Sequence, residues 1–111
     1  LHPRTKKILD NNKIRISSDI HIIEPLAYMD FLKLQINSKC IFTDSGGLQK
    51  EAFFHSVPCV TLRDETEWHE TIEAGWNRLW KQKDIIRRKE MTDYGKGTSA
   101  KDILGILEKF L

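Results

Sequence analysis

The chain has 111 residues, 40% apolar and 31% charged, a balance too apolar for a disordered polypeptide and a length that favours one core over two. Its 18 basic and 16 acidic residues leave a formal charge of +2, and their interleaving forms no strip that could track a phosphate backbone, which argues against nucleic acid as a partner. No apolar stretch nears the roughly 20 residues of a spanning helix, so a soluble chain with no membrane partner is expected.

The opening Leu1-His2-Pro3-Arg4 has no initiator methionine and no polar lead-in, which reads as the start of a fragment or excised domain. His2-Pro3-Arg4 begins a short helix that runs to about Leu9, since proline is acceptable in a first turn, and Asp10-Asn11-Asn12 ends it. Ile20-His21-Ile22-Ile23 has the β-branched density of a strand. Glu24-Pro25 then turns the chain into an amphipathic helix with Leu26, Met29, Phe31, Leu32 and Leu34 at roughly helical spacing, closed by Asn37-Ser38.

Cys40-Ile41-Phe42-Thr43 is a short apolar strand running into Asp44-Ser45-Gly46-Gly47 and a helix over Leu48–His55. The pattern repeats with a strand over Pro58–Leu62, a polar loop over Arg63–Thr66 and a helix over Glu67–Ala74, with Thr66 as its N-cap and Gly75 beyond its end. Arg78-Leu79-Trp80 follows as a strand, Gln82–Met91 as a helix, and Ser99–Phe110 as a closing helix whose apolar positions include Ile103, Leu104, Ile106 and Leu107. The basic cluster Lys81–Lys89 is interrupted by Asp84, Ile85 and Ile86, which suits a solvated helix face. Alternation of strands and helices predicts an α/β fold, a three-layer, doubly wound parallel sheet of Rossmann-like type.

Cys40 and Cys59 sit in apolar runs without Cys-x-x-Cys spacing, which points to reduced, buried thiols and a cytoplasmic protein. None of His2, His21, His55 and His69 has zinc-like spacing on a supporting frame, so no metal is expected.

Ligands of open α/β sheets bind beyond the carboxyl ends of the strands, where Thr43-Asp44-Ser45-Gly46-Gly47 falls. Glycines there let the main chain approach a ligand closely, and the unpaired amides of the following helix favour an anion such as a pyrophosphate. The Ser45 hydroxyl adds a donor. Glu51, one turn past Gly47, offers a carboxylate suited to the two hydroxyls of a ribose. Taken alone, the same pattern also describes a tight connection followed by a solvated glutamate.

Thr43-Asp44-Ser45-Gly46-Gly47-Leu48-Gln49-Lys50-Glu51-Ala52, the run from Pro58 to Glu67, and Glu73-Ala74-Gly75 resemble the signature of non-hydrolysing UDP-N-acetylglucosamine 2-epimerases. His2-Pro3-Arg4, Glu24-Pro25-Leu26 with Tyr28 and Phe31, and Tyr94-Gly95-Lys96-Gly97 fall in the same order, so the resemblance extends over about residues 2–107. It implies that residues 1–111 are most of the C-terminal domain of a GT-B enzyme, an isomerase built from two Rossmann-like domains around a cleft. It implies further that Ser45, Gly46 and Gly47 hold the diphosphate, that Glu51 holds the ribose, and that Phe31 lies by the uracil.

Pro25 would complete the base pocket or merely start a helix. Arg63 would meet the diphosphate or pair with Asp64 in its own loop, the second being the preferred expectation, and Glu67 faces the sugar. Trp68 and His69 depart from the arginine and proline common in the family, so a cationic contact at position 68 does not carry over. The family's reaction inverts C2 of the sugar by eliminating UDP and adding it back, and it needs no cofactor. Its proton-transfer carboxylates lie mainly in the N-terminal domain, so this piece is expected to bind UDP-GlcNAc or UDP without turnover and to assign no catalytic residue of its own. The partners implied are the UDP-sugar and the missing N-terminal domain, a homodimer being one expectation for the parent, and the implied setting is cell-surface polysaccharide biosynthesis. A hydrolysing epimerase, a GT-B glycosyltransferase or a non-catalytic nucleotide-binding module would reuse the same clamp.

Overall fold

In the computed structural model, residues 3–84, 86–90 and 94–110 are described. They divide into two compact units, Leu1–Lys33 and Leu34–Leu111. His2 and Met91, at an expected helix start and end, and Ile85, inside the expected helix over Gln82–Met91, lie outside the described residues.

In the first unit, helix α1 (Pro3–Asn11) starts on a proline whose missing amide costs nothing at that position. It ends where Lys13 adopts φ 52°, with Lys13 N donating to Asp10 O and Ile14 N to Leu9 O, the paired bonds that satisfy a helix's last carbonyls. No strand forms over Ile20–Ile23, contrary to the sequence expectation. Ile20, Ile22 and Ile23 are exposed, and among the described residues the sheet is made by three other segments. Helix α2 (Tyr28–Ile36) contains the boundary between the units and starts two residues later than its apolar pattern suggested.

The second unit carries a three-stranded parallel sheet of β1 (Ile41–Thr43), β2 (Cys59–Thr61) and β3 (Asn77–Leu79) in the order β1-β2-β3. The register sets Ile41 beside Cys59 and Cys59 beside Asn77, and sets Thr43 beside Thr61 and Thr61 beside Leu79. Helix α3 (Gly46–Phe54) packs on β1 and β2, and α4 (His69–Glu73) on β3, giving the strand-helix alternation of a parallel α/β fold. The apolar core is small: Ile41, Ala52, Val57 and Cys59, with Leu48 against them.

Beside it lies a buried polar network. Gln49, Thr61 and Thr71 are each fully inaccessible. Gln49 Oε1 accepts from Thr66 Oγ1 at 2.6 Å and from Asn77 Nδ2 at 3.1 Å, while Asn77 Oδ1 accepts from Thr61 Oγ1 at 2.9 Å. Thr71 Oγ1 accepts from Asn77 Nδ2 at 3.3 Å and donates to Trp68 O at 2.7 Å. Directional bonds of this kind fix one arrangement of α3, the loop after β2, α4 and β3 more sharply than greasy contacts would.

Two local expectations change. Thr66 does not cap the following helix, which begins at His69 behind Trp68; its hydroxyl is committed to Gln49 and accepts from the Trp68 amide at 3.2 Å. The described residues of the 82–90 segment are not helical. Arg78 Nη1 holds Gln82 O at 2.8 Å, Trp76 Nε1 holds Lys89 O at 3.0 Å, and Lys89 N reaches Ala74 O at 2.9 Å, so tertiary bonds claim the backbone groups a helix would use. Gly75 ends α4 as expected, at φ 76°, with Gly75 N on Ile72 O and Trp76 N on Thr71 O. Helix α5 (Ser99–Leu107) stops three residues short of Phe110.

Candidate functional site

The turn after β1 is built by short polar side chains. Thr43 Oγ1 accepts from Ser45 N at 3.0 Å, which folds the chain back immediately beyond the strand. Ser45, with extended backbone angles of φ −81° and ψ 123°, caps α3: its Oγ accepts from Leu48 N at 3.4 Å and its carbonyl from Gln49 N at 3.2 Å. Gly46 and Gly47 are the first two residues of α3, so their amides have no acceptor within the helix and lie at its positive end. Gly47 and Ser45 are exposed and Gly46 is partly so.

Glu67 and Arg63 join this group from the loop after β2. A β-carbon placed on Gly46 would collide with the Glu67 carboxylate and stand 3.3 Å from Trp68 Nε1. Arg63 Nη1 pairs with Glu67 Oε2 at 3.2 Å. The expected pairing of Arg63 with Asp64 is therefore corrected: Asp64 is held by Lys81 Nζ at 2.7 Å and Trp80 Nε1 at 3.1 Å, contacts that hold its carboxyl below the usual range. The i to i+4 spacing brings Glu67 to Arg63, whereas the adjacent Asp64 points elsewhere.

Glu51 sits four residues past Gly47, about 6 Å along the axis. It is half-buried, and its Oε2 accepts from Gln35 Nε2 at 2.8 Å. Gln35 comes from the last turn of α2 and is 2% exposed. Nothing in the local pattern singles it out, because a glutamine near a helix end ordinarily reads as solvated.

Around α3 the side chains of two further elements converge. Lys50 Nζ lies 4.1 Å from the ring centre of Trp68 and 4.5 Å from that of Tyr94. Tyr94 donates through a short bond to Glu70, and this bond is the main reason the Glu70 carboxyl sits below its ordinary value. Trp68, Lys50 and Tyr94 thereby fasten the loop after β2 and the chain at residue 94 to the helix that carries the turn.

Phe31 lies on α2, 37% exposed, and Pro25 is exposed in the segment before that helix; both belong to the first unit. Of the expected site residues, Ser45, Gly46, Gly47, Arg63 and Glu67 are brought together at the start of α3, and Glu51 stands one turn along it. Among the described residues no three metal-ligating side chains converge. Both cysteines are free, and burial pushes the Cys59 thiol up to about 12, so it remains a neutral core group. No described helix is long and apolar enough to cross a membrane.

A parallel sheet whose first strand ends in a capped Ser-Gly-Gly turn, opening a helix over the sheet, defines a partial Rossmann-like α/β domain. Residues 1–108 match the family model described as UDP-N-acetylglucosamine 2-epimerase, and the chain belongs to that family. A UDP-N-acetylglucosamine 2-epimerase homolog of Methanococcus maripaludis is 49% identical over 71% of this chain and 23% of its own length. The UDP-2,3-diacetamido-2,3-dideoxy-D-glucuronate 2-epimerase of Pseudomonas aeruginosa is 40% identical over 86% of this chain and 27% of its own. Among solved structures, the UDP-GlcNAc 2-epimerase of Methanocaldococcus jannaschii superimposes with a TM-score of 0.76 at 39% identity, over 98% of this chain and 34% of that one. Its complex with UDP-GlcNAc and UDP gives 0.73 at 38% identity, over 97% and 34%. The chain thus spans between about a quarter and a third of the length of these relatives.

Proposed function

We propose that this chain is the uridine-nucleotide-binding part of a UDP-N-acetylglucosamine 2-epimerase, an isomerase that interconverts UDP-GlcNAc and UDP-ManNAc by eliminating UDP and adding it back. The observation that carries this reading is the start of α3: two glycine amides without helical acceptors, a serine cap, and a half-buried carboxylate one turn further along. The relative solved with UDP-GlcNAc and UDP supports the choice of ligand.

In this reading the Gly46 and Gly47 amides and the Ser45 hydroxyl meet the diphosphate, and Glu51 accepts the ribose hydroxyls. The clamp's contribution is electrostatic: neutral main-chain donors and a helix terminus stabilise the charge on departing UDP without supplying a proton. Holding UDP between elimination and re-addition keeps the second step effectively unimolecular. Arg63, now paired with Glu67, is within the same group and becomes available to the phosphates if Glu67 turns to the sugar.

Proton transfer at C2 is assigned to a separate N-terminal domain across a cleft, so the 111-residue chain binds nucleotide and does not epimerise. The free thiols favour a cytoplasmic parent that supplies a 2-acetamido sugar for cell-surface polysaccharide. The Pseudomonas aeruginosa relative's name indicates that the sugar itself varies within this chemistry.

Isothermal titration of UDP into the chain tests the clamp. A saturable heat with a dissociation constant on the order of 0.1–1 mM, about −4 to −5.5 kcal/mol, is expected. A folded chain giving no heat at millimolar UDP would refute it, and epimerisation by the chain alone would refute the division of labour.

A further inference from the structure

The Gln35 side chain is buried to 2% exposure yet only half satisfied. Its Nε2 donates to Glu51 Oε2 at 2.8 Å, while its Oε1 is buried with no hydrogen-bond partner. A leucine or methionine would fill the same volume without an orphaned acceptor, so the amide is explained by what it does for Glu51. The amide orientation follows from its neighbour, since the reverse assignment would set a carbonyl oxygen against a carboxylate.

We infer that Gln35 is a positioning residue for ribose recognition, an inference resting on the assignment of Glu51 to the ribose. The bond occupies one carboxylate oxygen and leaves Oε1 and further lone-pair sites open for a ligand. Because the donor is neutral, it restrains the carboxylate without the competing ion pair that a lysine or arginine would make. A flexible glutamate otherwise loses rotamer freedom when it binds, and a restraint already present in the free protein removes that loss from the binding step. Gln35 and Glu51 are 16 residues apart and both lie in the second unit.

The test compares the affinities of UDP and 2′,3′-dideoxy-UDP for the chain and for its Gln35→Leu, Gln35→Met and Glu51→Gln variants, with circular dichroism confirming the fold of each. The unaltered chain is expected to prefer UDP by tenfold or more, and Glu51→Gln to abolish that preference. Gln35→Leu is expected to weaken UDP about tenfold while leaving the dideoxy ligand unchanged, so that the preference collapses although the turn still binds phosphate. If the leucine variant does not fold, Gln35→Met answers the same question with a side chain of similar length.

Equal loss for both ligands would assign Gln35 a purely structural role, and an unchanged UDP affinity would remove it from the site. If the unaltered chain binds no UDP, or if Glu51→Gln leaves the preference intact, the ribose assignment falls and this inference falls with it. Collapse in Glu51→Gln but not in the Gln35 variants overturns this inference alone.

Discussion

The carboxylate of Glu67 lies against the α-carbon of Gly46, at the positive end of α3, and Arg63 pairs with it at 3.2 Å. A side-chain anion therefore shares the helix terminus assigned to the nucleotide's diphosphate, and a loop cation stands beside it. A negative group at a helix N-terminus is stabilised there, so this arrangement is favourable without ligand, and the proposed diphosphate seat requires it to open.

Glu67→Gln is accordingly expected to tighten UDP binding by the isolated chain, by about threefold to tenfold at low salt. The gain should shrink as salt rises from about 0.01 M to about 1 M, where screening shortens from roughly 30 Å to roughly 3 Å. Titration calorimetry at the two salt concentrations checks this; weaker binding by the variant would mean that Glu67 contacts the ligand favourably even without a sugar.

Gly46→Ala separates binding from folding. Gly46 has no positive φ, so alanine is sterically allowed by the backbone, and the nearest atoms to the methyl group are those of the Glu67 carboxylate and Trp68 Nε1. Stability should change by no more than about 1 kcal/mol. UDP affinity should fall at least about tenfold because the methyl occupies the line of closest approach. Thermal melts paired with UDP titration decide it, and full affinity in the variant would place the ligand elsewhere.

The polar network should govern stability more than the small apolar core suggests. Asn77 bonds Thr61, Gln49 and Thr71 at once. Asn77→Ala leaves those buried groups short of partners, at about 1–3 kcal/mol for each one left unsatisfied, for a total of about 2–4 kcal/mol in urea unfolding. A loss below about 0.5 kcal/mol would show that the network relaxes freely.

The bond from Tyr94 to Glu70 carries a pH dependence. Because it favours the ionised carboxylate and lowers its pKa from the ordinary 4.5, its stabilisation is present above that value. It is lost as pH falls through the lower folded-state value. Melting temperatures of the chain and of Tyr94→Phe should differ at neutral pH and converge once the pH drops well below about 4.5. A gap that persists in acid would show that the hydroxyl's contribution does not depend on ionisation of Glu70.

The strand-turn-helix unit around Gly46 was legible because local signals coincide, an apolar run followed by two glycines and a helical segment, whereas the cap made by Ser45 and the helix start at Gly46 emerge from the structure. Gly75 was legible for a similar reason, a helix ending where only a left-handed residue fits. What stayed hidden is long-range. Gln35, Gln49 and Asn77 carry no local signal, and Thr66 reads as a helix cap, until the fold buries them against partners 16 to 28 residues away. The helix expected over Gln82–Met91 has suitable local composition, yet bonds from Trp76, Arg78 and Ala74 claim its described backbone. Ile20–Ile23 has strand chemistry but joins no sheet among the described residues.

The nitrogen-15 NMR spectrum of the chain during a UDP titration tests the clamp most directly, since it reports each amide separately. Saturable downfield shifts of the Gly46 and Gly47 amide protons, absent when uridine replaces UDP, are the expected result. Glycine resonances that stay fixed while UDP binds, or that respond equally to uridine, would contradict a phosphate seat at the start of α3.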